Sequence, residues 1–297
     1  MARGLIGIDW GTTHRRAYLL GVQGQLLAEY SDDQGLLASQ GRFAESLATV
    51  LARWPHGLPV LMSGMVGAAS GWQEAPYLDA ATPLTMLAQR LMPLRGAPAG
   101  RSCVIVPGYR WRGAAGEIDV MRGEETQLLG ALALGHGDGW YVLPGTHSKW
   151  VKVEQGAVSL LRTYMTGELF GLLGQHGTLS GMVDPQATHP PAFRDGLQAA
   201  AKGALSHTLF GCRARVVSGD MPAAHARSYL SGLLIGAEWC DAVQRAPDLQ
   251  QVTLIAAEHL AEGYKTAALH HGCALSVLDP REVYLAALWA LREGGGA

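Results

Sequence analysis

A chain of 297 residues is longer than one core of ordinary size needs, so two domains are expected. Its 23 Lys and Arg are scattered among 25 Asp and Glu, for a formal net charge of -2, which leaves no basic surface for nucleic acid. No apolar run approaches the roughly 18 residues of a membrane-spanning helix, and Cys103, Cys212, Cys240 and Cys273 are too dispersed for a zinc site or a disulfide framework. The apolar stretch after Gly4 is broken by Asp9, too early for a secretory segment, so a cytoplasmic protein is expected.

In chain order, residues 4–9, 15–21 and 25–30 read as three strands joined by a Gly-Thr turn and by a Gln-Gly turn at 23 and 24. Asp9 falls near the end of the first, buried strand, where a carboxylate has to be paired, metal-coordinating or close to water. Helical period covers 43–54, with Phe43, Leu47, Val50, Leu51 and Trp54 on one face. A strand at 59–63 leads into the Gly-rich "SGMVGAASGW". A helix is predicted at 83–92, and "CVIVPG" at 103–108 reads as a short strand ending in a turn. Residues 122–134 read as a helix whose first-turn acids suit the macrodipole.

Residues 139–164 then repeat the opening: strand, Gly-Thr turn, strand, Gln-Gly turn, strand. Aligning Gly11-Thr12-Thr13 with Gly145-Thr146-His147 puts the Gln-Gly turns twelve and ten residues on. A duplicated supersecondary unit implies two lobes, here 1–125 and 126–297. A Gly-Thr turn presents backbone amides and a hydroxyl to one spot, which suits an anion. Two such turns facing across a cleft would grip one polyphosphate, and Asp9 would hold the waters of its Mg²⁺. The alternative is a pair of ordinary hairpins with Asp9 as a salt-bridged edge acid. Glu124, at a helix start, could orient an acceptor hydroxyl and take its proton; the alternative is a solvated acidic first turn, and the choice between Glu124 and Glu125 stays open.

"IDWGTTHRRAYL" resembles the first phosphate motif of the sugar-kinase, heat-shock-cognate and actin superfamily, and "RGEETQLLGA" followed by "PGTHSKW" is similar to motifs of the glycerol and xylulose kinase group. More closely, "DWGTT", "SGMVGAASGWQEAPYL", "VMRGEETQLLGA", "PGTHSKWV", "MTGELF" and "LSGLLIGAEW", in that order, resemble the 2-dehydro-3-deoxygalactonokinase family over residues 5 to about 240. The resemblance implies an α/β fold of two actin-like, ribonuclease H-like lobes, each a mixed sheet flanked by helices, with an interdomain cleft. It implies transfer of the ATP γ-phosphate to the 6-hydroxyl of 2-dehydro-3-deoxy-D-galactonate in galactonate catabolism. Carried over by residue, Asp9 organises Mg²⁺, Gly11, Thr12 and Thr13 form the first phosphate loop, and Gly145, Thr146 and His147 the second. Glu124 stands where the wider kinase group has Asp. Ala256, Ala257 and Glu258 fall in the nucleotide-base region, where relatives carry a Gly, and the C-terminal helix is expected near the hinge.

A keto-acid substrate calls for a carboxylate clamp, for which the arginine fork is suited. Arg122 ranks first because Glu124 follows two residues later, with pairing to Glu125 or a helix carbonyl as the alternative; Arg16, Arg162 and Lys149 follow. The Gly-rich segment reads as a wall of the sugar pocket with Ser63, Trp72 and Gln73 as contacts, or as a packed inter-strand connection. Thr166 and Glu168 read as a helix-capping Thr-x-Glu start, with reach into the cleft as the alternative. His14 and His147 could touch phosphate, and Trp10 and Trp150 read as hinge packing. The expected partner is a small sugar acid, with neither nucleic acid nor membrane, and a homodimer stays open. Two other readings remain: a kinase of another sugar acid or ketose, and a catalytically silent sugar- or nucleotide-sensing protein.

Overall fold

The computed structural model describes residues 4–182 and 188–295. The chain divides into two compact units, the first made of Met1–Asp138, Lys152–Leu161 and Pro280–Ala297, the second of Gly139–Val151 and Arg162–Asp279. The expected cut after residue 125 and this division differ: the helix that begins at Glu124 and the C-terminal segment both belong to the first unit.

In the first unit β1 (Leu5–Trp10), β2 (Arg15–Leu20) and β3 (Leu26–Asp32) form the expected meander, followed by the short α1 (Leu36–Ser39), α2 (Phe43–Leu51) and β4 (Val60–Gly64). Then come β5 (Leu78–Asp79), β6 (Met92–Pro93), β7 (Cys103–Ile105), β8 (Tyr109–Arg112), β9 (Ile118–Met121) and α3 (Glu124–Ala133). The main sheet runs β3-β2-β1-β4-β7-β6 and is mixed: β1 is antiparallel to β2 and parallel to β4, which is parallel to β7. Period-two alternation sends Ile6, Ile8 and Trp10 into a core with Phe43, Leu47 and Val50 of α2. Asp9 therefore belongs to the opposite face.

The second unit holds β10 (Gly139–Leu143), the start of β11 (Ser148–Glu154) and the end of β12 (Ala157–Tyr164), whose hairpin Lys152–Leu161 is grouped with the first unit; then come α4 (Thr166–Gln175), α5 (Pro190–Ala200), α6 (Leu205–Val217) and α7 (Ala226–Arg245). They are followed by β13 (Gln251–Ile255), α8 (Glu258–His270) and β14 (Ala274–Leu278). The sheet order β12-β11-β10-β13-β14 repeats β3-β2-β1-β4-β7, with β10 parallel to β13 and β13 parallel to β14. Trp150, Trp239, Val252 and Tyr264 fill its core. The last helix, α9 (Pro280–Gly294), returns to the first unit, where Leu288 occupies the space a Gly7 side chain would need and so covers the face that carries Asp9.

Several boundaries move for identifiable reasons. The segment predicted as a helix at 83–92 is a 3₁₀ helix at Leu84–Arg90, in which the three-residue spacing of buried Leu84 and Leu87 suits three residues per turn. The short strand expected within 103–108 is Cys103–Ile105, ending before Pro107, which has no N–H for a ladder. α2 stops at Leu51 rather than 54, ahead of Pro55. Trp10 and Trp150 are not hinge packing: each is buried in the core of its own unit. No helix among the described residues is long and apolar enough to cross a membrane.

Candidate functional site

At the first Gly-Thr turn, Gly11 N–H donates to His14 O at 2.9 Å and closes the bend. The start of α1 is stacked behind it. Gly35 N–H donates to Thr13 O, Leu36 N–H to Gly11 O and Leu37 N–H to Thr12 O, at 3.1, 2.9 and 3.2 Å. Because a trans peptide points its N–H opposite to its C=O, the amides of Thr12, Thr13 and His14 face away from α1. Donors directed to one side in this way suit an anion. A Cβ on Gly35 would collide with the Thr12 and Thr13 carbonyls, so only glycine lets the helix start come this close. Arg15, which leaves the turn, is wholly buried: it donates to Asp32, to the backbone and side chain of Ser46, and lies 4.9 Å from the Trp10 ring.

Asp9 is the penultimate residue of β1, on the α9 side. It accepts from Arg16 Nη1 at 3.3 Å, across the β1–β2 pair, and 26% of its side chain is exposed. Burial raises its carboxyl above the ordinary value, and the Arg16 guanidinium opposes that. Asp9 is thus salt-bridged, but on a central strand rather than an edge. Beside it on β4, Ser63 shares a 2.8 Å hydrogen bond with Tyr284 of α9. Among the described residues there is no cluster of three or more His, Cys, Asp or Glu that would bind a bare metal ion. One partly exposed carboxylate beside a turn of outward amides nevertheless fits a Mg²⁺ that keeps its waters and takes the rest of its shell from phosphate.

The carboxyl ends of β1 and β4 meet the start of α3. Gly64, with φ of +84°, and Gly123, with φ of +110°, need glycine's access to positive φ. A Cβ on Gly123 would be 3.4 Å from Gly64 Cα, and one on Gly64 3.6 Å from Asp9 Oδ1. Two carboxylates fold back over the helix start: Glu124 Oε2 accepts from Arg122 N–H at 2.9 Å and Glu125 Oε2 from Gly123 N–H at 2.7 Å. Glu125 is fully buried, also accepts from the Thr126 hydroxyl, and is pushed up to about 8 by burial and then by the Glu124 charge. Arg122 does not pair with it. Its Nη2 donates to Ala75 O at 2.8 Å, and the guanidinium lies 4.3 Å from the Tyr77 ring. Its Nε and Nη1 are buried without a hydrogen-bond partner.

The other expected substrate contacts have partners inside the protein. Trp72 stacks on Phe43 at 6.1 Å, and Gln73 donates to Pro93 O and accepts from Arg95 N–H, so the Gly-rich segment is a packed connection at these positions. Lys149 is buried and donates to Thr163 at 2.9 Å, and Arg162 pairs with Asp241.

The second turn repeats the device of the first. Glu168 N–H donates to Thr146 O at 2.8 Å, and a Cβ on Gly167 would collide with Gly145 O. His147 Nε2 and Glu168 Oε2 are 2.7 Å apart, as His14 Nδ1 and Asp33 Oδ1 are 2.8 Å apart beside the first turn. The capping expectation for Thr166 and Glu168 does not hold. Met165 is the N-cap, without a side-chain capping bond, while Thr166 donates to Glu238 and Glu168 meets the turn histidine. Ala256 follows β13, Ala257 caps α8 and Glu258 begins it, at the carboxyl end of the strand beside β10. Sequence reading missed Gly35 and Gly167 although a signal existed: they follow Gly11 and Gly145 by 24 and 22 residues, the same two-residue shortening as the Gln-Gly turns.

A family model described as 2-keto-3-deoxy-galactonokinase matches residues 9–291. The chain is 37% identical over 292 residues to a protein of Rhizobium meliloti (strain 1021) assigned as a 2-dehydro-3-deoxygalactonokinase, covering 95% of this chain and 94% of the relative. It is 37% identical over 272 residues to the 2-dehydro-3-deoxygalactonokinase of Escherichia coli (strain K12), covering 90% of each. A crystal structure of a protein from Sinorhizobium meliloti with the same assignment superposes with a TM-score of 0.90 at 34% identity, over 97% of this chain and 96% of that one.

Proposed function

The chain belongs to the 2-keto-3-deoxy-galactonokinase family, and from that premise we propose what its individual residues do. It is a kinase that phosphorylates 2-dehydro-3-deoxygalactonate with ATP, in galactonate catabolism. In our reading the acceptor is the 6-hydroxyl and the setting is the cytoplasm, which the four free cysteines support.

The outward amides of Thr12, Thr13 and His14 and the hydroxyls of Thr12 and Thr13, on the bend that Gly11 closes, bind phosphoryl oxygens of ATP, and the turn of Gly145, Thr146 and His147 does the same. Ala256, Ala257 and Glu258 border the nucleotide base. Asp9 would hold Mg²⁺ through water, and the ion, when bound, neutralises charge on the phosphoryl oxygens. Arg122 takes the substrate carboxylate, which offsets the cost of its two buried, unpartnered nitrogens. Glu124 orients the acceptor hydroxyl and accepts its proton as the new O–P bond forms and ADP leaves. Glu125 is the lesser candidate for base, since it is enclosed and both oxygens already accept hydrogen bonds. Positioning and charge neutralisation supply most of the acceleration in such a site.

The observation that carries these assignments is the meeting of Asp9, Gly64, Gly123 and the Arg122-Glu124 pair at the carboxyl ends of parallel strands, where open α/β sheets bind their ligands. A coupled ADP-release assay tests it, comparing 2-dehydro-3-deoxygalactonate with its gluconate epimer and locating the phosphate on the product by NMR. We expect rapid ADP release with the galactonate compound and phosphate on carbon 6. No sugar-dependent ADP release would overturn the kinase reading, and preference for the epimer would overturn the substrate.

A further inference from the structure

The block "LSGLLIGAEW" has no role in the chemistry above, yet it carries an acid where packing alone would place an apolar residue. Glu238 lies within α7 between buried Ile235 and Trp239 and is itself 1% exposed. An acid there costs several kcal/mol unless its bonds serve another purpose. Its partners are hydroxyls: Thr166 Oγ1 donates to Oε2 at 2.7 Å, and Ser148 Oγ approaches Oε1 at 3.4 Å while sharing a 3.1 Å hydrogen bond with Tyr264 OH.

Ser148 is the residue after His147, and Thr166 is the residue before Gly167, whose missing side chain makes room for the Gly145 carbonyl. One carboxylate therefore ties the strand that leaves the turn to the helix stacked behind it, and through Ser148 and Tyr264 to α8. We propose that Glu238 is a positioning residue for the turn Gly145–His147, holding Ser148 and Thr166 so that the turn keeps the shape that receives phosphate. The proposal rests on the phosphate reading of that turn. Burial pushes the Glu238 carboxyl up to about 7, against the hydrogen bonds from Tyr264, Thr166 and Ser148 that pull it down.

The test is steady-state kinetics of the full chain with three substitutions. Glu238→Gln keeps the shape but replaces an acceptor oxygen with a donor. Thr166→Val removes one bond without touching α7. Both should raise KM for ATP roughly tenfold, with kcat and KM for the sugar acid within about threefold of the parent, because misplacement of a binding group weakens the ligand it serves. Thr146→Val, on the exposed turn itself, should also raise KM for ATP. If Thr146→Val leaves that KM unchanged, the phosphate reading of the turn fails. If Thr146→Val raises it and neither of the others does, or if they raise both KM values alike along with a lowered Tm, the positioning role alone fails. Should Glu238→Gln not fold, Thr166→Val decides.

Discussion

Arg122 shows how much depends on one side chain's surroundings. Its place over the Tyr77 ring and the bond to Ala75 O hold the guanidinium, and the two unpartnered nitrogens, Nε and Nη1, are what the proposed carboxylate contact would satisfy. Lysine can supply the charge but neither the plane nor the paired donors. Arg122→Lys should therefore raise KM for the sugar acid about tenfold or more while KM for ATP stays near the parent value, read from initial rates; an unchanged sugar-acid KM would remove Arg122 from the clamp. The sequence pointed to this residue through its distance from Glu124. It could not show that Ser63 spends its hydroxyl on Tyr284, 221 residues away, or that Gln73 is bonded at both ends of its amide, because such pairings leave no local spacing to read.

At the scale of elements, the repeated device is a tight turn with a helix start pressed onto its carbonyls through a glycine. The strand-turn-strand layout was legible because hydrophobic alternation and turn residues are local properties. The helix start behind each turn was legible only in principle, as a matched spacing. Gly35 adopts φ of -67°, open to any residue, so replacing it tests space rather than backbone strain. Gly35→Ala should cost about 1–3 kcal/mol in urea unfolding, by forcing α1 off the turn, and should raise KM for ATP; an unchanged midpoint and KM would mean that the close approach does not matter. The capping pattern Thr-x-Glu misled for a related reason. Buried Glu238 attracts the Thr166 hydroxyl, and His147 attracts Glu168, so tertiary partners outbid the helix end.

For the whole molecule, the repeated three-strand meander was legible in the sequence, whereas the return of α9 to the first unit could not be read, since an amphipathic helix carries no address for the face it covers. Buried acids give the molecule a pH signature. Glu125 titrates at about 8 when folded against an ordinary 4.5, so the folded chain holds a proton that the unfolded chain releases between those values. Stability should fall as pH rises from about 4.5 to 8, with a slope from this group of up to about 1.4 kcal/mol per pH unit. Glu125→Gln should flatten that slope in urea titrations at successive pH values, and identical slopes would contradict the burial argument. The central claim, that the start of α3 delivers the carboxylate that accepts the hydroxyl proton, is tested most directly by the turnover of Glu124→Gln with ATP and 2-dehydro-3-deoxygalactonate. A fall of about 10² or more in kcat with KM for ATP unchanged is the predicted result, and turnover equal to that of the parent would contradict it.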